Sequence, residues 1–179
     1  SCIDWAKSLH LFNEFSEINS FSSGSAIDNG LAFVPALSGL GSPHWEPEAR
    51  GIWLGLGRNQ SNQQLMQAIL EGIAFRAAEI VISIQEITSV SKALIVDGGM
   101  SQNRYFIQFL ADICGCDILL SKMPEHTGLG TLKLASRLSG KKFLYEHQIT
   151  RVKPKCDRRD DLEKFQHAIS FSKKWSELN

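Results

Sequence analysis

Residues 92–121 read KALIVDGGMSQNRYFIQFLADICGCDILLS. The run KALIVD (92–97) has an unbroken apolar centre, as a strand buried in a parallel sheet has. Residues 101–114 follow with Phe106, Ile107, Leu110 and Ile113-Cys114 at helical spacing behind Ser101. That pattern predicts a helix with Ser101 as its cap. CDILLS (116–121) reads as the next strand. A strand, a helix and a strand in this order predict an α/β domain with a right-handed crossover onto a mainly parallel sheet.

Two glycines, Gly98 and Gly99, stand where the first strand ends and the helix begins. In open parallel sheets ligands bind beyond the carboxyl ends of strands. A missing Cβ lets the backbone come close to a flat or charged ligand. Amides at a helix start favour an anion or a polar ring edge. Asn103 offers a donor and an acceptor, which suits a purine edge or a ribose. Asp97 could accept from a hydroxyl or act as a cap. A plain strand-to-helix turn explains the same spacing, and the run is neither a Walker A loop nor G-x-G-x-x-G.

On the amino-terminal side, Ser61 opens the strongest periodic signal of the chain. Leu65, Ile69, Ile73, Ile80, Ile84 and Ile87 recur at helical spacing, with Met66, Leu70 and Ala77 beside them. A long helix buried on more than one side is expected, with Ser61 and Gln64 forming a capping box. LAFVPAL (31–37) and GIWLGLG (51–57) read as short strands, with Gly55 where something packs closely. Residues 38–50, SGLGSPHWEPEAR, form a structured loop between them, and 13–30 a loop with a short helix at most. Ile3, Trp5, Ala6 and Leu9 place an amphipathic helix at the opening, which begins without Met, as a piece of something longer would. On the other side, Thr127 to Ser139 read as a helix and Lys141 to Lys155 as a connector. Arg158 to Leu178 form a last amphipathic helix with Leu162, Phe165, Ile169, Phe171 and Trp175 on its core face.

The composition is that of a soluble globular domain, with 179 residues, 43% hydrophobic and 21% charged. Lys plus Arg equals Asp plus Glu, 19 against 19, so no charge asymmetry points to nucleic acid or a membrane. No apolar run reaches the roughly 18 residues of a spanning helix, and the first residues, with Asp4 and Lys7, lack the charged-then-apolar order of a signal peptide. The cysteines at 2, 114, 116 and 156 lack zinc spacing and read as reduced cytoplasmic thiols, Cys114 in a helix core. His44 reads as structural, and Arg50 as the ion-pair partner of Glu46 or Glu48. Glu71 and Arg76, if buried, require partners. Glu125-His126-Thr127 resembles a dyad, though Thr127 is more simply a helix cap.

VDGGMSQNRYFIQFLADICGCDI resembles the adenine-side segment of the glycerol kinases, within the FGGY family of carbohydrate kinases. FVPALSGLGSPHWEPEARG resembles the same family through Ser38-Gly39-Leu40-Gly41, Pro43 with Trp45, and Ala49-Arg50-Gly51. GIWLGLGRNQSNQQLMQAILE (51–71) fits its second signature, and EHTGLGTLKLA (125–135) and the closing helix also match. The resemblance implies a ribonuclease-H-like, actin-like fold with ATP in a cleft between two domains. The γ-phosphoryl group would pass, with Mg2+, to glycerol or a related polyol. Gly99 would meet the nucleotide through its backbone, Asn103 would touch the adenine edge, and Gly98 would permit the turn.

Only the later part of the second domain is matched. Residues 1–179 would be a partial C-terminal domain without the N-terminal domain that holds the acceptor and catalytic aspartate. By the same resemblance the first strands, with their phosphate loop, would lie outside these residues as well. No catalytic residue and no metal ligand is therefore assigned. The expected activity is phosphorylation of glycerol to glycerol 3-phosphate by the parent protein. A pentulose kinase, or an inactive nucleotide-binding or interaction remnant, are the alternatives. The resemblance places the protein in the cytoplasm and admits a homo-oligomer.

Overall fold

A computed structural model describes residues 1–22, 24–88, 93–121, 126–140 and 149–178, the side chains of 126, 127 and 129 excepted. In chain order the elements are α1 (Cys2–Ser8), β1 (Ala32–Val34), β2 (Ile52–Leu54), α2 (Asn62–Ile87) and β3 (Ala93–Val96). They continue with α3 (Arg104–Cys114), β4 (Asp117–Ser121), α4 (His126–Leu138), β5 (Ile149–Val152) and α5 (Arg159–Ser176). Short 3-10 turns lie at Phe15–Ile18 and Gly99–Gln102.

β1 and β2 form an antiparallel pair, closed where Gly55 meets the Gly30 carbonyl too tightly for any Cβ. β3, β4 and β5 form a second sheet in that order. β3 and β4 are parallel, joined through α3, as the crossover reasoning requires. β4 and β5 are antiparallel. The described sheet is thus mixed, not mainly parallel, because the expected connector 141–155 carries an edge strand. Of its residues, 141–148 lie outside the described ones.

α2 is the spine. Ser61 accepts from the Gln64 amide and Gln64 reaches back to the Ser61 amide, so the capping box forms. Its amino-terminal two-thirds are buried through Met66, Ile69, Leu70, Ala74, Phe75 and Ala78. Ile80, Ile84 and Ile87, expected on the core stripe, are exposed. The helix outruns the elements that cover it, and periodicity alone cannot mark where the cover stops.

One core lies between α2, α3, the inner face of the second sheet and α5. There Phe75 stacks on Phe165 at 4.6 Å and meets the edge of Phe109 at 5.4 Å. A second core lies under α1 and β1, where Phe33 contacts Trp5 and Trp53. α5 buries Leu162, Phe165, Ala168 and Ile169. Phe171 and Trp175 face outward, contrary to expectation, one position off the stripe that β1 and α3 cover. α1 forms as expected, with Ser1 and Asp4 as its capping box.

Candidate functional site

The junction after β3 resolves into two steps. Gly98 has φ +83°, a conformation that costs an L side chain dearly, so the first glycine is needed for the turn itself. Gly99 opens the 3-10 turn without a left-handed φ, and a Cβ there would meet nothing within 4 Å. Neither conformation nor packing requires the second glycine. What its missing side chain leaves is room.

That room is part of a cavity of about 660 Å³, lined by Gly99, Met100 and Asn103 on one side and by Ile3, Ile18 and Ile73 on the other. The walls are mostly apolar, with polar groups from Ser1, Asp4, Asn19, Gln102 and Asn103, the usual make-up of a small-molecule site.

Asn103 is buried and is itself the cap of α3. Its Oδ1 accepts from the Phe106 amide at 2.8 Å, and its Nδ2 donates to the Ile18 carbonyl at 2.8 Å. The cap is therefore Asn103 and not Ser101, whose hydroxyl donates back to the Gly98 carbonyl at 2.7 Å. The helix accordingly starts at Arg104. The Arg104 amide donates to Asn19 Oδ1, so that amide and the Phe106 amide are already engaged. A carboxamide has two hydrogens and two acceptor lone pairs. These two contacts use one hydrogen and one lone pair of the Asn103 carboxamide and leave one of each unused by them. Asp97 stands exposed at the end of β3.

Two buried networks fix the surroundings. Glu71 on α2 accepts from the Ala26 and Ile27 amides at 2.6 and 3.0 Å and from the Tyr105 hydroxyl at 2.5 Å. Gln67 donates to that hydroxyl and to the Gly24 carbonyl. Burial pushes the Glu71 carboxyl up to about 7, against the pull of the Tyr105 hydroxyl and the two amides. Burial first, and then the neighbouring Glu71 charge, also raise the Tyr105 phenol. The network joins the 24–30 loop, α2 and α3, and so sets where α3 begins.

The second network holds the 38–50 loop. Arg76 pairs with Glu79, and the other Glu79 oxygen lies 3.1 Å from His44 Nε2. Arg76 also donates to the Ser42 carbonyl at 2.8 Å. His44 is structural, as expected, and both buried helix charges have partners. Glu79 was missed by sequence reasoning, although its i,i+3 spacing from Arg76 was a usable signal. Tyr105 as the partner of Glu71 carried no such signal across 34 residues. Arg50 pairs with Glu48 at 3.4 Å on the surface. Glu125 lies outside the described residues, as do the His126 and Thr127 side chains; the Thr127 backbone is already helical. Among the described residues no group of three or more His, Cys, Asp or Glu is placed to hold a metal ion. Among them also, no helix is long and apolar enough to cross a membrane.

Residues 4–139 match the model of the FGGY family of carbohydrate kinases, C-terminal domain. The chain belongs to the FGGY family. Within it, the chain is 35% identical over 185 residues to a glycerol kinase of Borrelia garinii subsp. bavariensis, covering 97% of this chain and 37% of that protein. It is 38% identical over 131 residues to a glycerol kinase of Thermus brockianus, covering 73% and 26%. The fold matches a Plasmodium falciparum glycerol kinase crystallised with ADP, with TM-score 0.74 and 27% identity over 95% of this chain and 36% of that one. A Brucella ovis xylulose kinase matches in fold with TM-score 0.81 at 19% identity, over 99% and 38%. The ribonuclease-H-like, actin-like α/β fold expected from the sequence is thus the FGGY C-terminal fold. The chain spans between 26% and 38% of the length of these FGGY relatives.

Proposed function

We propose that this chain forms the adenine-side wall of the nucleotide site in an ATP-dependent kinase that converts glycerol to glycerol 3-phosphate. The observation that carries the reading is Gly99. It has no conformational or packing reason to lack a side chain, and it lines a mostly apolar cavity together with Asn103. Identity of 35–38% to glycerol kinases supports glycerol as acceptor, whereas likeness to the xylulose kinase rests on fold alone.

The residues present fit the nucleoside part of ATP. Ile18, Ile73 and Met100 offer apolar surface to the ring faces. Gly99 lets the backbone approach, and Asn103 offers one donor and one acceptor to a ring edge. They do not fit the phosphates or Mg2+, since among the described residues no acidic cluster and no basic clamp line the cavity. ATP supplies the phosphoryl group. This chain's part is to bind and orient the base, and the groups that stabilise charge in transfer are to come from the segments that FGGY kinases carry ahead of this region. No residue here is proposed as catalytic.

The test is ADP release when glycerol or a pentulose is added to the polypeptide that carries this chain behind the remaining kinase segments. Release with glycerol and little with the pentulose is the expected result. Release with the pentulose alone would reassign the acceptor, and release with neither would remove the activity.

A further inference from the structure

Two residues past the Asn103 cap of α3, Tyr105 reaches across to α2. Its hydroxyl donates to Glu71 Oε1 at 2.5 Å and accepts from Gln67 Nε2 at 2.7 Å. Among the described residues neither Tyr105 nor Glu71 lines the nucleotide cavity, but each shares its helix with a residue that does. Ile73 stands on α2 beside Glu71, and Asn103 caps the first turn of α3. The Glu71–Tyr105 hydrogen bond therefore fastens one wall of the cavity to the other. The tie is one residue from the cap, because Asn103 Oδ1 holds the amide of Phe106, the neighbour of Tyr105. The Tyr105 ring is fixed as well, edge-on to Phe21 at 4.7 Å and stacked on Phe109 at 5.8 Å.

The three donors aimed at Glu71 match one protonation state. A carboxylate accepts from the Ala26 amide, the Ile27 amide and the Tyr105 hydroxyl together. A carboxylic acid has a hydrogen of its own to place, so one of the three donors must yield. The two amides belong to a loop closed on itself by backbone bonds from Asn29, Gly30 and Leu31. Tyr105 is the side chain, and it is the donor free to give way. Burial, against the pull of Tyr105, the two amides and Arg158, holds the Glu71 carboxyl up to about 7, so both forms are populated near neutrality. Burial and then the Glu71 charge raise the phenol, which stays a donor. The charge facing the pair is the Arg158 guanidinium at the head of α5. Arg158 is itself paired with Asp28 of the loop and with Asp161, which Lys164 also meets.

We propose that Glu71 and Tyr105 are positioning residues of the nucleotide site, whose hydrogen bond holds the Asn103 wall in place while the pair is ionised and releases it when the pair takes up a proton. The proposal rests on the nucleotide reading of the cavity. Nucleoside affinity then rises with pH. Overall stability runs the other way, because burying the charge costs the whole fold while the charged form is the one that grips Tyr105. By linkage, a bound nucleoside weakens proton binding by the pair by the same factor.

The probe is adenosine, which has no phosphate to titrate, added to the nitrogen-15-labelled 179-residue chain. NMR reads two quantities between about pH 5.5 and about pH 8.5. One is the position of the Asn103 side-chain amide signals in the free chain, and the other is the adenosine dissociation constant. In the wild type the Asn103 signals should shift with a midpoint near about 7, and affinity should rise at least about fivefold with pH. Tyr105→Phe keeps the ring in its packing, so it should stay folded, bind more weakly at the upper pH and lose both pH dependences. Glu71→Gln should lose them too. Asn103 signals that ignore pH in the wild type, or that move as far in folded Tyr105→Phe, would overturn the proposal. So would a wild-type affinity that is flat or falls as pH rises. Asn103 signals that behave as expected in a chain that takes up no adenosine would uphold the tie between the walls and overturn the nucleotide reading instead.

Discussion

Glu71 shows most plainly how single residues shape this protein. It sits on α2, fully enclosed, with three donors aimed at one carboxyl group. Desolvation still wins and holds the folded value near 7, above the ordinary 4.5. The folded state therefore binds this proton more tightly than the unfolded chain does. The stability it contributes is complete below about pH 4.5 and is lost as pH rises through about 7. The difference corresponds to on the order of 3 kcal/mol. Urea unfolding of the wild-type chain should show a falling midpoint between pH 5 and pH 8. Glu71→Gln, although less stable because its amide faces two N–H donors, should flatten that slope. Equal slopes in the two proteins would mean that Glu71 titrates as it does in water.

At the scale of elements, α2 and β1 meet through a gap that only glycine leaves. A Cβ on Gly72 would lie 2.2 Å from the Phe33 carbonyl oxygen. Alanine normally favours a helix over glycine by about 1 kcal/mol. Here the clash with backbone reverses the sign. Gly72→Ala should destabilise the chain by roughly 1–3 kcal/mol of overpacking, read as a lower urea midpoint, and a raised midpoint would show that β1 moves aside freely. Most of the elements were legible because their signals are local. The Ser61–Gln64 box, the apolar run 93–96 and the stripe of α3 each lie within one window of sequence. β5 was not legible. Its four residues, ITRV, send only Val152 to the core, and an exposed edge strand of that length reads as a loop. The cap of α3 was misread because Ser101 and Asn103 are both good caps. Only the 3-10 turn after Gly98 decides between them. Of the candidate site, Gly98, Gly99 and Asn103 were visible as a loop end. The opposing wall of Ile3, Ile18 and Ile73 comes from distant segments that no spacing links.

At the scale of the whole molecule, one face of the second sheet packs on the core among the described residues. Leu94, Val96, Ile118, Leu120 and Val152 pack inward, whereas Ile95 on the other face is 72% exposed. Among the described residues no strand pairs with the free edge of β3. An open edge beside an exposed isoleucine invites pairing with another chain. The chain by itself should therefore self-associate as concentration rises, and Ile95→Thr, which keeps strand propensity, should shift it toward monomer in sedimentation velocity. A wild-type chain that stays monomeric at all concentrations would contradict this.

The nucleotide wall is tested most directly by calorimetric titration of ADP into the folded chain, wild type beside Gly99→Val. Asn103→Ala is a poorer probe, because it also removes the cap of α3. Valine at 99 enters open space, so the variant should unfold at the wild-type urea concentration yet bind ADP at least about tenfold more weakly, or 1.4 kcal/mol. Equal binding by the two folded proteins, or no uptake of ADP by the folded wild-type chain, would contradict the assignment of this cavity to the adenine ring.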